Sequence, residues 1–186
     1  MLTIPRTAVI MALLGAVAFL SLTYLLSFDA KNAAVGVVTV LFAWNTYRYP
    51  RYYLTLGGVA LIFACFVTTM HQYEYDTPNL FLGHMNLFPL VMWTAGLVLA
   101  RDVYVRLPIP YRLVVFTLLY WVILFILEYI GFYWVGIRLA PGLPSLFNTG
   151  VLHGTPAMHV FYILAGPIYI IVTDYIATWY PWLNRR

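Results

Sequence analysis

The sequence predicts an all-α integral membrane protein: a bundle of six transmembrane helices with both termini in the cytoplasm. Three observations predict it. Of 186 residues, 63% are hydrophobic and 9% charged, and the mean hydropathy is +0.86. A soluble domain carries about a quarter charged residues, so lipid rather than water is the solvent this surface suits. The apolar residues fall in runs near the roughly 20 that span a bilayer. All the arginines but Arg138 fall at the termini or in alternate connections between those runs.

The first helix is expected at about 7–28. A basic residue precedes it, the run exceeds a signal-peptide core, and no cleavage site follows, so it reads as a retained helix. The second, about 32–47, is short and contains AAVGVVTVLFAW. It spans only with local thinning or help from neighbours. The third is expected at 53–70, the fourth at 80–100, the fifth at 112–137 and the sixth at 156–180. Pro156 suits the first turn of that last helix, where a missing N–H does no harm.

Charge decides whether the short second helix crosses. With six crossings, Arg6, Arg48, Arg51, Arg101, Arg106, Arg112, Arg185 and Arg186 share one side. Lys31 and Arg138 take the other. This asymmetry places the arginine-rich side and both termini in the cytoplasm of a multi-pass plasma-membrane protein. The net charge of +4 is spread over short loops rather than gathered in a stripe, so nucleic acid is not expected as a partner. The expected partners are the bilayer and other membrane subunits or further copies of the chain. The chain is one transmembrane domain, 1–186. Its single cysteine, Cys65, lies in an apolar run and reads as a buried, inert thiol.

On this topology His71, Glu74, Asp76, His84, His153 and His159 lie at or near the outer face. Glu128 is sixteen residues into the fifth helix, roughly 24 Å from its cytoplasmic end. A charged residue inside hydrocarbon costs about 2.5–3.5 kcal/mol on insertion scales and marks function by default. Glu128 is therefore the candidate acid/base or ligand, and a structural hydrogen bond to a Tyr, a Trp or a carbonyl is the alternative. His84, His159, His71 and His153 are candidate substrate- or ion-binding groups. Imidazole with carboxylate suits Zn, Fe, Cu or Mn. The spacings here fix no metal and no cofactor, and interfacial histidines bonded to loops or headgroups are the simpler reading.

Asp174 is expected near the cytoplasmic interface, beside Arg101, Arg106 or Arg112. Pro167 should kink the sixth helix and free the carbonyl of Ile163, and freed carbonyls at membrane depth can bind ligands or ions. Ala8, Ala12 and Ala16 recur at four-residue spacing. Such a small-residue face lets helices approach closely, as an intramolecular seam or a docking face. The chain has no GxSxG, phosphate-binding glycine loop or CxxC motif.

Two stretches resemble known families. RTAVIMALLGAVAFLSL, in a six-helix chain of this size, looks like the substrate-binding components of energy-coupling-factor vitamin transporters. That resemblance covers the first helix and implies docking through its alanines. YEYDTPNLFLGHMNLFPLVMW and LEYIGFYWVGI resemble small membrane enzymes of carotenoid cyclisation and hydration. That family's paired carboxylates after a proline are missing, since Pro156 is followed by AMH. Three functions are expected: a subunit or partner-dependent module of a larger membrane assembly, with a polar Glu/His site toward the outer face; a membrane enzyme acting on a lipid or isoprenoid; and a small-solute binding or transport module.

Overall fold

The structure, a computed structural model, describes residues 6–68, 75, 79–139 and 142–184. Those residues form six α-helices: α1 (Arg6–Leu20), α2 (Ala30–Arg48), α3 (Pro50–Thr68), α4 (Leu87–Tyr104), α5 (Arg112–Tyr129) and α6 (Pro156–Trp179). A two-stranded hairpin, β1 (Phe81–Leu82) and β2 (Met85–Asn86), precedes α4. Wider, π-helical turns extend α1 over Ser21–Leu25 and α5 over Ile130–Val135.

Four helices are long and apolar enough to cross a membrane: α3, α4, α5 with its π-helical extension, and α6. The apolar part of the first helix, Leu13–Leu25, is shorter. Helix α2 has the length, but Lys31, Asn32, Asn45 and Arg48 lower its hydropathy.

Local chemistry sets the helix starts. The Asp29 carboxylate accepts from the N–H groups of Lys31 and Asn32 and caps α2. Asn86 does the same for α4 through Phe88 N–H at 3.1 Å. Thr155 caps α6 through Met158 N–H, with Pro156 in the first turn. These side chains satisfy amide donors that a helix end leaves without partners.

The expected start of the fourth helix at residue 80 is corrected to Leu87, because β1 and β2 pair across Gly83 and His84. Gly83 takes φ +62°, which glycine adopts without a Cβ clash. Apolar content alone could not separate this hairpin from the helix that follows it.

Helix α3 packs against α2, α4 and α6. It does so through a face of Leu56, Ala60 and Ala64. Gly57 lets the Phe42 ring approach so closely that a Cβ would stand 2.9 Å from it. Contacts make successive helices antiparallel, with Phe42 against Gly57, Tyr52 against Asp102 and Arg112 against Asp174, so the bundle has two ends. One holds the α2–α3 and α4–α5 turns and the end of α6. The other holds the hairpin, the start of α2 and the loop before α6.

Helix α1 touches α2 through Gly15, which faces Leu41 and Val37. Ala16 is exposed, and the side chains of Ala8 and Ala12 lie outside the described residues. The intramolecular seam therefore runs through Gly15, and Ala16 takes no part in it.

Candidate functional site

Two polar regions stand out, one at each end of the bundle. At the arginine-rich end, Arg101 has no solvent exposure and Asp102 only 5%. Both lie in the last turn of α4. Successive residues on a helix point about 100° apart, so the two side chains reach different neighbours. Asp102 turns to α3 and accepts from Tyr52 Oη at 2.6 Å and Tyr53 Oη at 3.1 Å. Arg101 turns to α6 and pairs with Asp174. Tyr104 Oη also donates to Asp174, at 2.8 Å. The Arg112 guanidinium lies 4.0 Å from the same carboxylate and over the Tyr104 ring.

Two arginines and two carboxylates thus balance within one cluster that joins α3, α4, α5 and α6. Asp174 stands beside Arg101 and Arg112, two of the three arginines expected near it. The role of Arg101 was not visible in the sequence. Counted as a loop charge, it is instead buried inside the bundle. The RD pair followed by a tyrosine was the available signal, because adjacent opposite charges at a helix end address two neighbouring helices.

The opposite end holds the candidate Glu/His residues. Contacts between α5 and α6 fix their antiparallel register: Arg112 meets Asp174, Tyr120 meets Gly166, and Phe132 meets His153. Glu128 therefore stands level with the first turn of α6, residues 156–159. It shares the α6-facing side of α5 with Thr117, Trp121 and Leu124, and it is half-buried there. Among the described residues no hydrogen bond or ion pair reaches its carboxylate.

The π-helical turn begins two residues later and carries Phe132, whose ring stacks on His153 at 4.3 Å. Arg138 lies over the same ring and donates to the Phe132 carbonyl. His159 bonds the Leu152 carbonyl at 2.8 Å. Burial, then the nearby His159, lowers the His153 pKa below the usual histidine value. The structure thus gathers Glu128, His153 and His159 at one end, between α5, α6 and the loop joining them.

Of the other two histidines, His84 alone lies among the described residues. His84 is exposed in the hairpin turn, which corrects its expected place at the start of a helix. His71 lies outside the described residues. Among the described residues no three His, Cys, Asp or Glu side chains converge on a common metal position.

Lys31, expected in an outer loop, is 1% exposed. It donates to Asn79 Oδ1 at 3.0 Å, which also accepts from Asn86 Nδ2. Its ammonium lies 4.9 Å from the centre of the Tyr75 ring. It ties α2 to the segment before α4.

No family model, curated protein or solved structure matches the chain. An apolar cleft between α2, α3 and α4, lined by Thr39, Phe42, Leu61, Leu90, Val91 and Thr94, takes no residue from α5 or α6. It is separate from the Glu128 group. The carbonyl of Ile163, freed by Pro167, accepts from Trp121 Nε1 at 3.0 Å. The interior of the protein fills the position that a ligand or ion would take.

Proposed function

We propose that this chain crosses the plasma membrane six times, with both termini in the cytoplasm, and serves as a subunit of a larger membrane assembly. Its polar group of Glu128, His153 and His159 faces outward. One observation carries the proposal. Helix α5 buries a single residue, Phe116, yet bears a carboxylate that no other described residue bonds.

The aliphatic side of α5, including Val114, Leu118, Val122 and Ile126, is exposed on this chain alone. It supplies no donor to Glu128. Polar groups at this depth face a bundle interior or pair with one another, and a neighbouring subunit is a source of the missing donor. The exposed Ala16 offers that neighbour a second close approach. The arginine distribution supports the topology: the turns bearing Arg48, Arg51, Arg106 and Arg112 lie at one end of the bundle, the end assigned to the cytoplasm.

Photo-crosslinkers at Val122 and Ile126, in native membranes, test the assembly. A specific protein adduct that weakens with Glu128→Gln is expected. Adducts to lipid alone, with an unchanged monomer in mild detergent, overturn it. Cysteine probes in a Cys65-free background test the topology, with Tyr49 and Val103 inside and Tyr75 and Asn148 outside. Labelling of Tyr49 from outside overturns the six-crossing arrangement.

A further inference from the structure

Arg51 lies in the first turn of α3 and Arg112 in the first turn of α5, and neither turn holds an acidic residue. A helix N-terminus carries a partial positive charge that favours anions. These two arginines therefore add positive charge where the backbone is already positive. Arg48, the last residue of α2, and Arg106, between α4 and α5, are exposed at the same end.

The carboxylates nearby offset only part of this excess. Asp102 is held by Tyr52 and Tyr53, and Asp174 by Arg101 and Tyr104, with Arg112 at 4.0 Å. Tyr111 is 83% exposed and Trp179 is 69% exposed at the same end. Such amphipathic rings rest at headgroup level.

We propose that this end of the bundle is a binding surface for anionic phospholipid headgroups, through Arg48, Arg51 and Arg106. The cluster takes up both acidic side chains, Asp174 with Arg112 at its edge, so Arg48, Arg51 and Arg106 keep their charge for the lipid. The two helix N-termini aim backbone N–H groups at the same headgroup layer. The surface rests on the proposed crossing of the membrane by this chain.

The test uses the full chain reconstituted into nanodiscs of equimolar phosphatidylglycerol and phosphatidylcholine. After gentle extraction, mass spectrometry measures the lipid retained with the protein. Phosphatidylglycerol enriched about fivefold or more is expected, from the attraction of surface arginines to anionic lipid. High salt should remove the enrichment, as should Arg48→Gln with Arg106→Gln, two exposed positions whose loss leaves the buried cluster intact. Equal retention of the two lipids overturns the surface. Complete displacement of the lipid by excess inorganic phosphate shows that free phosphate is the ligand, and overturns the lipid assignment. Alkaline carbonate extraction of native membranes separates the two ideas. A chain released by carbonate overturns membrane insertion, and the surface with it. A chain that stays embedded but retains both lipids equally overturns the surface alone.

Discussion

The indole N–H of Trp121 donates to the carbonyl of Ile163 at 3.0 Å, the carbonyl that Pro167 leaves without its intrahelical donor. One turn of α6 is thus completed from α5. Tyr120 reinforces it by donating to the neighbouring carbonyl of Tyr162 at 2.8 Å. Trp121→Phe should cost about 1–3 kcal/mol, the penalty of a buried acceptor left unsatisfied. Pro167→Ala restores an N–H to α6, so the double variant should recover part of that loss. A reversible unfolding titration checks this, and equal losses in the single and double variants would count against the bond.

Gly166 permits the same junction. A Cβ there would stand 2.6–2.8 Å from three atoms of the Tyr120 ring. Gly166→Ala should push α5 off α6 and destabilise the bundle by about 1–3 kcal/mol. Disulfide trapping between the two helices, compared with the parent, reads the separation directly.

Asp174→Asn should be among the most damaging changes at the arginine-rich end. It leaves Arg101 buried without its ion-pair partner, a loss of about 3–5 kcal/mol. Replacing Arg101 and Asp174 together by methionine should cost far less, because no charge is then stranded. The comparison of thermal midpoints is decisive: a double variant as unstable as Asp174→Asn would deny the pairing.

The loop before α6 should loosen in acid. The His153 pKa is lowered in the folded chain, first by burial and then by His159. Folding therefore favours its neutral form. Its contribution is fully present above the ordinary histidine value of about 6.5. It falls away as pH drops from there through the lowered folded value. Proteolysis at residues 142–155 should rise over that window. His153→Phe keeps the stack on Phe132 and should flatten the pH dependence.

Much of the helical architecture was legible because lipid imposes long apolar runs. Helices near residues 53–70, 112–137 and 156–180 needed only length and hydropathy. The hairpin at 81–86 was hidden because Phe81, Leu82, Met85 and Leu87 read as one apolar run. Glu128 announced itself as a carboxylate among aliphatics. Its level with the start of α6 follows from the interhelical register, which no single helix encodes. Arg101 was misread because a basic residue at a helix end resembles a loop charge until the helix beside it is known. The freed carbonyl of Ile163 was legible from Pro167, but the indole that fills it comes from 42 residues earlier in the chain.

The separation between Arg101 and Asp174 also sets a timetable for synthesis. Asp102 finds its tyrosines on α3, which leaves the ribosome before α4. Arg101 must wait for a partner 73 residues downstream. At about 5–20 residues per second, translation leaves that guanidinium without its carboxylate for roughly 4–15 s. During that interval the nascent chain holds the Arg101 guanidinium without the Asp174 carboxylate that pairs with it in the finished bundle. Closure of the bundle is thereby tied to the arrival of its last helix.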